Sequence, residues 1–126
     1  MMHVVDNTEL PRAALPGLDH ATLAGAANGL SRLSVWRQTI EPGAATPPHR
    51  HDCEEVVVVT TGSGELHIHG RVERFGPDST LVIPGNVDHQ IINTGAAPMN
   101  LVAAFSATPV EVVLPDGSPL PLPWRS

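Results

Sequence analysis

The chain has 126 residues, a formal net charge of −6 and a pI near 5.5, with 13 prolines, 11 glycines, two phenylalanines, two tryptophans and no tyrosine. That length suits one domain with its own core, and the acidic balance excludes the basic surface that nucleic acid or an anionic membrane needs. Cys53 is the only cysteine, so no intrachain disulfide is possible and a cytoplasmic protein is the default expectation.

Residues 1–18 open with MMHVVDNTELPR, where a secretory signal needs a basic start and a continuous apolar run. No window approaches a membrane span, so the chain is expected to be soluble, with an amino-terminal arm through residue 30 lying on the body or on a partner subunit. Within it Asp19 to Gly29 (DHATLAGAANG) reads as one short helix, Asp19 the N-cap and Gly29 beyond the end, with a loop as the alternative. Leu30 to Ile40 alternates as a strand, and its Arg37 and Gln38 give one polar group to each face.

Pro42-Gly43 turns the chain, and Pro47-Pro48 holds the next segment extended because each proline fixes its own φ and restricts its predecessor. After Glu55, the run Val56 to Val59 reads as a strand buried on both faces, and Thr61-Gly62-Ser63-Gly64 as a hairpin connection. Glu65 to His69, Arg71 to Phe75, Leu81 to Ile83 and His89 to Asn93 follow as short strands, parted by Gly70, Gly76-Pro77-Asp78 and Pro84-Gly85. Met99 to Leu114 is a last long strand pattern with small residues at Ala103, Ala104 and Ser106, and PDGSPLPLPWRS is an extended proline-rich tail. Many short strands between dense Pro/Gly punctuation predict an all-β sandwich or barrel.

The chemistry concentrates in Gly43 to Gly62, GAATPPHRHDCEEVVVVTTG. His49, His51 and Glu55 have the same parity, so an extended backbone turns all three to one face, and His89 is a fourth donor further on. Three imidazoles and a carboxylate suit one divalent transition metal ion per chain, Fe, Mn, Ni, Cu or Zn. The competing reading keeps these residues as satisfied core polar groups with no ion, at a cost in burying them together. Since a bound imidazole must be deprotonated, affinity is expected to collapse below about pH 6.

These residues resemble the cupin superfamily. Its first motif, G-x5-H-x-H-x3,4-E-x6-G, is met by Gly43, His49, His51, Glu55 and Gly62. Its second, G-x5-P-x-G-x2-H-x3-N, is met by Pro84, His89 and Asn93, while Asp78 and Asn86 stand where it has glycine. Asn86 tolerates a left-handed backbone, and Asp78 implies a slightly different start to its strand. The resemblance covers residues 31–114 and implies a double-stranded β-helix, or jelly roll, with the metal inside its open end. It also implies a homodimer in which residues 1–18 or 115–126 cover the partner, with Trp124 as an anchor.

His67 and His69 form a second H-x-H pair, without a carboxylate at ligand spacing. They are read as pocket-lining or solvent-facing groups rather than a second metal site. Gln38, His67, His69 and Asn93 are the candidate substrate-pocket residues, with Arg37 and Gln90 as further polar groups whose simpler reading is ordinary strand polarity. Cys53 reads as an inert, partly buried thiol, and Glu54 faces away from the metal.

The expected function is a metal-dependent enzyme on a small organic molecule, dioxygenase-like oxidation first and metal-assisted isomerase or lyase second, with Glu55 as ligand and base. The alternative is a non-catalytic module that binds a metabolite or metal. The lack of tyrosine argues against cupin lyases that use a tyrosine base, and the few aromatic residues against a flavonol pocket.

Overall fold

The computed structural model describes residues 3–126. Nine strands run through them: β1 (Ala13–Leu15), β2 (Leu18–Ala24), β3 (Ser34–Ile40), β4 (Glu55–Thr61), β5 (Gly64–Ile68), β6 (Arg71–Phe75), β7 (Ser79–Ile83), β8 (His89–Asn93) and β9 (Met99–Phe105). They form a six-stranded sheet, β1-β2-β3-β9-β4-β7, and a three-stranded sheet, β6-β5-β8, antiparallel throughout. Segments outside the strands widen the smaller sheet, through bridges Ala45↔Ile92, His49↔His89, Arg50↔Val113 and Val113↔Pro119. The result is the expected all-β jelly roll.

Period-two alternation builds the core. Trp36, Gln38 and Ile40 of β3, Val57 and Val59 of β4, and Met99, Leu101, Ala103 and Phe105 of β9 point inward. They meet Leu66, Ile68 and Ile91 of the smaller sheet in one apolar cluster. Asn93 closes the far end: its Nδ2 donates to Ile40 O and Ala97 O, each at 2.9 Å, and its Oδ1 accepts from Gly95 N at 2.9 Å.

Several expectations need correction. Asp19 to Gly29 is not a helix: Leu18–Ala24 is strand β2, followed by one 3-10 turn, Ala26–Asn28. Pairing with β3 from Leu18↔Ile40 to Ala24↔Val35 supplies long-range hydrogen bonds that outweigh the helix propensity of its alanines. The valine run is not buried on both faces, since Val57 and Val59 are enclosed while Val56 and Val58 remain 40% and 41% exposed. Its sheet has core on one side and water on the other. Thr61 to Gly64 is not a hairpin turn either, because β4 and β5 belong to different sheets.

Gly62 makes that corner. It has φ +98°, and a Cβ there would lie 2.7 Å from Met99 Cα. Asp78 and Asn86, at the two positions where the motif has glycine, have φ 60° and 59°. Both keep the left-handed backbone that glycine favours, so Asp78 does not change the start of β7.

Candidate metal centre

The ligand residues come together through backbone pairing. The segment stiffened by Pro47-Pro48 runs antiparallel to β8, His49 N donating to His89 O at 3.0 Å and His89 N to His49 O at 2.8 Å. The chain then bends at Asp52-Cys53, so His49, His51 and Glu55 do not share one continuous strand. The bend is pinned by Asn86 N to His51 O at 2.7 Å and by Glu54 N to Ser106 Oγ at 3.0 Å. Glu55 then opens β4 between Ile83 and Phe105, facing inward, while Glu54 is exposed.

Each imidazole is oriented from behind. Nδ1 of His49, His51 and His89 donates to the carbonyls of Pro47 (2.6 Å), Glu111 (2.8 Å) and Val87 (2.9 Å). A carbonyl oxygen only accepts, so in each neutral ring Nδ1 carries the proton and Nε2 keeps the lone pair. All three histidines are buried, and one ring nitrogen from each lies within 4.8 Å of the others. Glu55 Oε1 is 3.5 Å from His51 Nε2 and 3.3 Å from His89 Nε2. Neither Glu55 Oε1 nor His89 Nε2 has a properly aligned hydrogen-bond partner, although both are buried. Two orphaned ligand atoms side by side, with imidazoles held through their other nitrogen, fit a bound cation.

The protonation pattern agrees. Burial and then the neighbouring His89 lower the His49 pKa to about 4. Burial pushes the Glu55 carboxyl up, but the adjacent imidazoles of His51 and His89 prevail and hold it at about 2. Burial lowers His89, yet the Glu55 carboxylate beside it raises it overall. Glu55 is thus an anion with His89 as its partner, and His49 stays neutral.

These donors form the inner end of a cavity of about 50 Å³ whose other walls are mainly apolar. Gln38 lines it, with Nε2 3.1 Å from Nδ1 of buried His20, whose Nε2 is 2.7 Å from Thr22 Oγ1. The tail forms part of the wall: Leu120, Leu122 and Trp124 line the cavity, and Trp124 lies flat on His20, ring centroids 3.7 Å apart. Trp124 thus packs against its own chain through His20. His20 and the tail contacts were missed in the sequence. The available signals were the parity of Leu18 and His20, and the alternation of Leu120, Leu122 and Trp124 with prolines.

The remaining candidates lie elsewhere. His67 bonds Glu65 Oε1 at 3.0 Å on the outer side of β5, and exposed His69 occupies the β5–β6 turn with φ 54°. Asn93 is fully buried in its backbone contacts and does not line the cavity. Gln90 donates to Thr46 O at 2.9 Å, and Arg37 reaches Asn7 O at 3.4 Å. Burial first, then Asp52 and Glu55, push the half-buried Cys53 thiol up, away from a reactive thiolate.

The family model described as auxin binding protein matches residues 2–123. The chain belongs to the auxin-binding protein family. It is 38% identical to auxin-binding protein 1 of Arabidopsis thaliana over 109 residues, covering 79% of this chain and 55% of that one. It is also 38% identical to auxin-binding protein T85 of Nicotiana tabacum, covering 90% of this chain and 68% of that one. The chain thus spans between about half and two thirds of the length of these curated relatives. A cupin 2 domain-containing protein from Halorhodospira halophila superposes with a TM-score of 0.66 at 30% identity, over 71% of this chain and 64% of that one. This member of the auxin-binding protein family is a cupin, as its two motifs imply, and its three buried histidines can hold a metal ion. Among the described residues, no helix is long and apolar enough to cross a membrane.

Proposed function

We propose that the protein is a metal-dependent binding module for a small organic acid. His49, His51, Glu55 and His89 would hold one divalent ion, Fe, Mn, Ni, Cu or Zn, and the ion would supply a positive centre for the ligand's carboxylate. One observation carries this reading: apart from those four donors, the cavity lining contains no titratable side chain. Gln38, Thr46 and the indoles are its other polar groups, so the walls suit an apolar body and provide no spare acid or base for turnover. The aromatic carboxylic acids implied by the relatives' names match that chemistry.

Size adds a condition. A benzene-sized ligand occupies a cavity of about 150 Å³, whereas this one measures about 50 Å³ with the tail seated. The ring of such a ligand would take the place of Leu122 and Trp124, so the tail moves aside on binding.

A metal-dependent enzyme is the second reading. It is favoured by a donor set that leaves one or two coordination positions, and it keeps dioxygenase-like oxidation ahead of isomerase or lyase chemistry. The homodimer and the cytoplasmic location belong to the same proposal, to be checked by sedimentation and fractionation.

Elemental analysis of the protein as purified, followed by calorimetric titration of the metal-loaded protein with phenylacetate and indole-3-acetate under air, separates the readings. Near one metal per chain and saturable binding without conversion supports the binding module. Oxygen uptake or product formation moves the function to the enzyme. Failure to load any metal overturns both.

A further inference from the structure

Arg50 stands between His49 and His51, which are buried while it is only partly so, and its side chain leaves the opposite face of the segment from theirs. That segment has a backbone neighbour on each side. On one side the antiparallel pairing of His49 with His89 sets Arg50 across from Asp88, and its Nη1 lies 3.2 Å from Asp88 Oδ1. On the other side Arg50 and Val113 exchange both backbone hydrogen bonds, at 2.9 and 3.0 Å. The same Nη1 is 3.4 Å from Leu114 O and 3.3 Å from Pro115 O. One guanidinium thus ties the ligand segment both to the strand end that carries His89 and to the arm that follows β9.

The arm reaches the metal centre through one atom. In the Arg50↔Val113 register the next hydrogen-bonded pair would join Asp52 to Glu111. The chain bends at Asp52-Cys53 instead, and the Glu111 carbonyl accepts from Nδ1 of His51 at 2.8 Å. Burial of Val110 and Val112 sets how deep the arm lies, but apolar burial has no direction. The contacts of Arg50 are directional and set where the arm lies along the ligand segment.

We infer that Arg50 is a positioning residue for the metal centre. By holding residues 111–115 in register it keeps the Glu111 carbonyl behind His51, which keeps the ring proton on Nδ1 and the Nε2 lone pair on the side of Glu55. The inference rests on the metal-binding part of the reading above and goes beyond it, since Arg50 is neither a ligand candidate nor part of the cavity lining. Arginine suits this task because its planar fork of donors serves acceptors on both sides of its strand, whereas an ammonium is a point charge.

The test compares wild type, Arg50→Gln and a control, Arg74→Gln, which opens the Arg74–Glu65 pair three strands away in the same sheet. Ring-nitrogen spectra of metal-free, ¹⁵N-histidine-labelled protein at pH 8.5, above the ordinary imidazole range, read which nitrogen of His51 carries the proton; His51→Gln assigns the resonance. Release of zinc from Zn(II)-loaded protein to excess chelator reads the consequence. Wild type and Arg74→Gln are expected to show the Nδ1–H form of His51 and equal release rates. In Arg50→Gln, His51 is expected to mix both tautomers and zinc to leave about tenfold faster. An unchanged His51 tautomer in Arg50→Gln overturns the inference whatever the release rate, because Arg50 then acts on the fold and not on His51. A disturbed tautomer with unchanged release also overturns it, since His51 would then not need positioning to hold the ion. Should Arg50→Gln fail to fold, Arg50→Lys, which keeps the stem and charge without the fork, carries the same comparison, and equality with wild type in both measurements overturns the inference. If wild type takes up no zinc, the metal-binding reading fails separately, and the metal-free tautomer comparison still decides the role of Arg50.

Discussion

His49 and His89 exchange both backbone hydrogen bonds, at 3.0 and 2.8 Å, and this pairing brings their rings to a centroid separation of 4.4 Å. Two residues 40 positions apart in sequence are thereby set side by side as candidate metal ligands by backbone pairing. The centre is preorganised by the sheet, and the outward carbonyls of Pro47, Glu111 and Val87 fix the rings.

Removing one ligand should therefore cost metal and leave the barrel standing. His49→Ala is expected to reduce metal affinity by at least about a hundredfold while far-ultraviolet circular dichroism stays that of a β protein. Elemental analysis after dialysis checks it; full occupancy in the variant would remove His49 from the site.

Acid should release the ion through His89 first. Glu55 raises the pKa of His89, whereas His49 is held at about 4. In the metal-free site the first proton therefore goes to His89, and competition with the metal begins at or above the ordinary imidazole range near pH 6.5. Occupancy measured between pH 8 and 4.5 should fall monotonically, and His89→Ala protein reloaded at high metal concentration should not show the same onset. Full occupancy at pH 4.5 would contradict the assignment.

His20 predicts a separate pH dependence of stability. Its folded pKa is lowered to about 4 by burial against an ordinary 6.5, so between those values the unfolded chain binds more protons than the folded one. This contribution to stability is complete above about pH 6.5 and is lost as pH falls toward about 4, on the order of 3 kcal/mol in all. Urea unfolding of metal-free wild type and His20→Gln at pH 7.5 and 5 checks it: the variant should lose less stability over that interval.

The tail should behave as a strap. Trp124→Ala removes the stack on His20 and part of the cavity wall, and is expected to cost about 1–3 kcal/mol while raising the association rate for phenylacetate. Stopped-flow fluorescence of the remaining Trp36 reads the rate, and an unchanged rate would mean that the ligand does not enter past Trp124.

Asn93 is expected to act on stability and not on binding. Alanine there orphans the carbonyls of Ile40 and Ala97 and the amide of Gly95, at a cost of about 2–4 kcal/mol. Chemical denaturation should show that loss with metal affinity unchanged.

The strand rhythm, the turn residues and the three histidines that can hold a metal, His49, His51 and His89, were legible because alternation, proline and glycine chemistry, and metal-donor type are local properties. Local reading failed where a long-range partner decided the outcome. Asp19 to Gly29 has enough alanine to read as helix, and pairing with β3 makes its first part a strand. Four consecutive valines cannot reveal that only one face of their sheet meets the core.

The same limit applies to the site. Donor type and parity in the sequence are enough to name the candidate metal-binding residues. Tertiary structure decided that His51 and Glu55 converge across a bend rather than along one strand, and that Gln38 reaches the cavity while His67, His69 and Asn93 do not. It also decided that Trp124 lies on His20 and lines the cavity. A side chain's direction at an element's end depends on backbone pairing with distant segments, and a cavity exists only where several such segments meet; neither is encoded in any one stretch of residues.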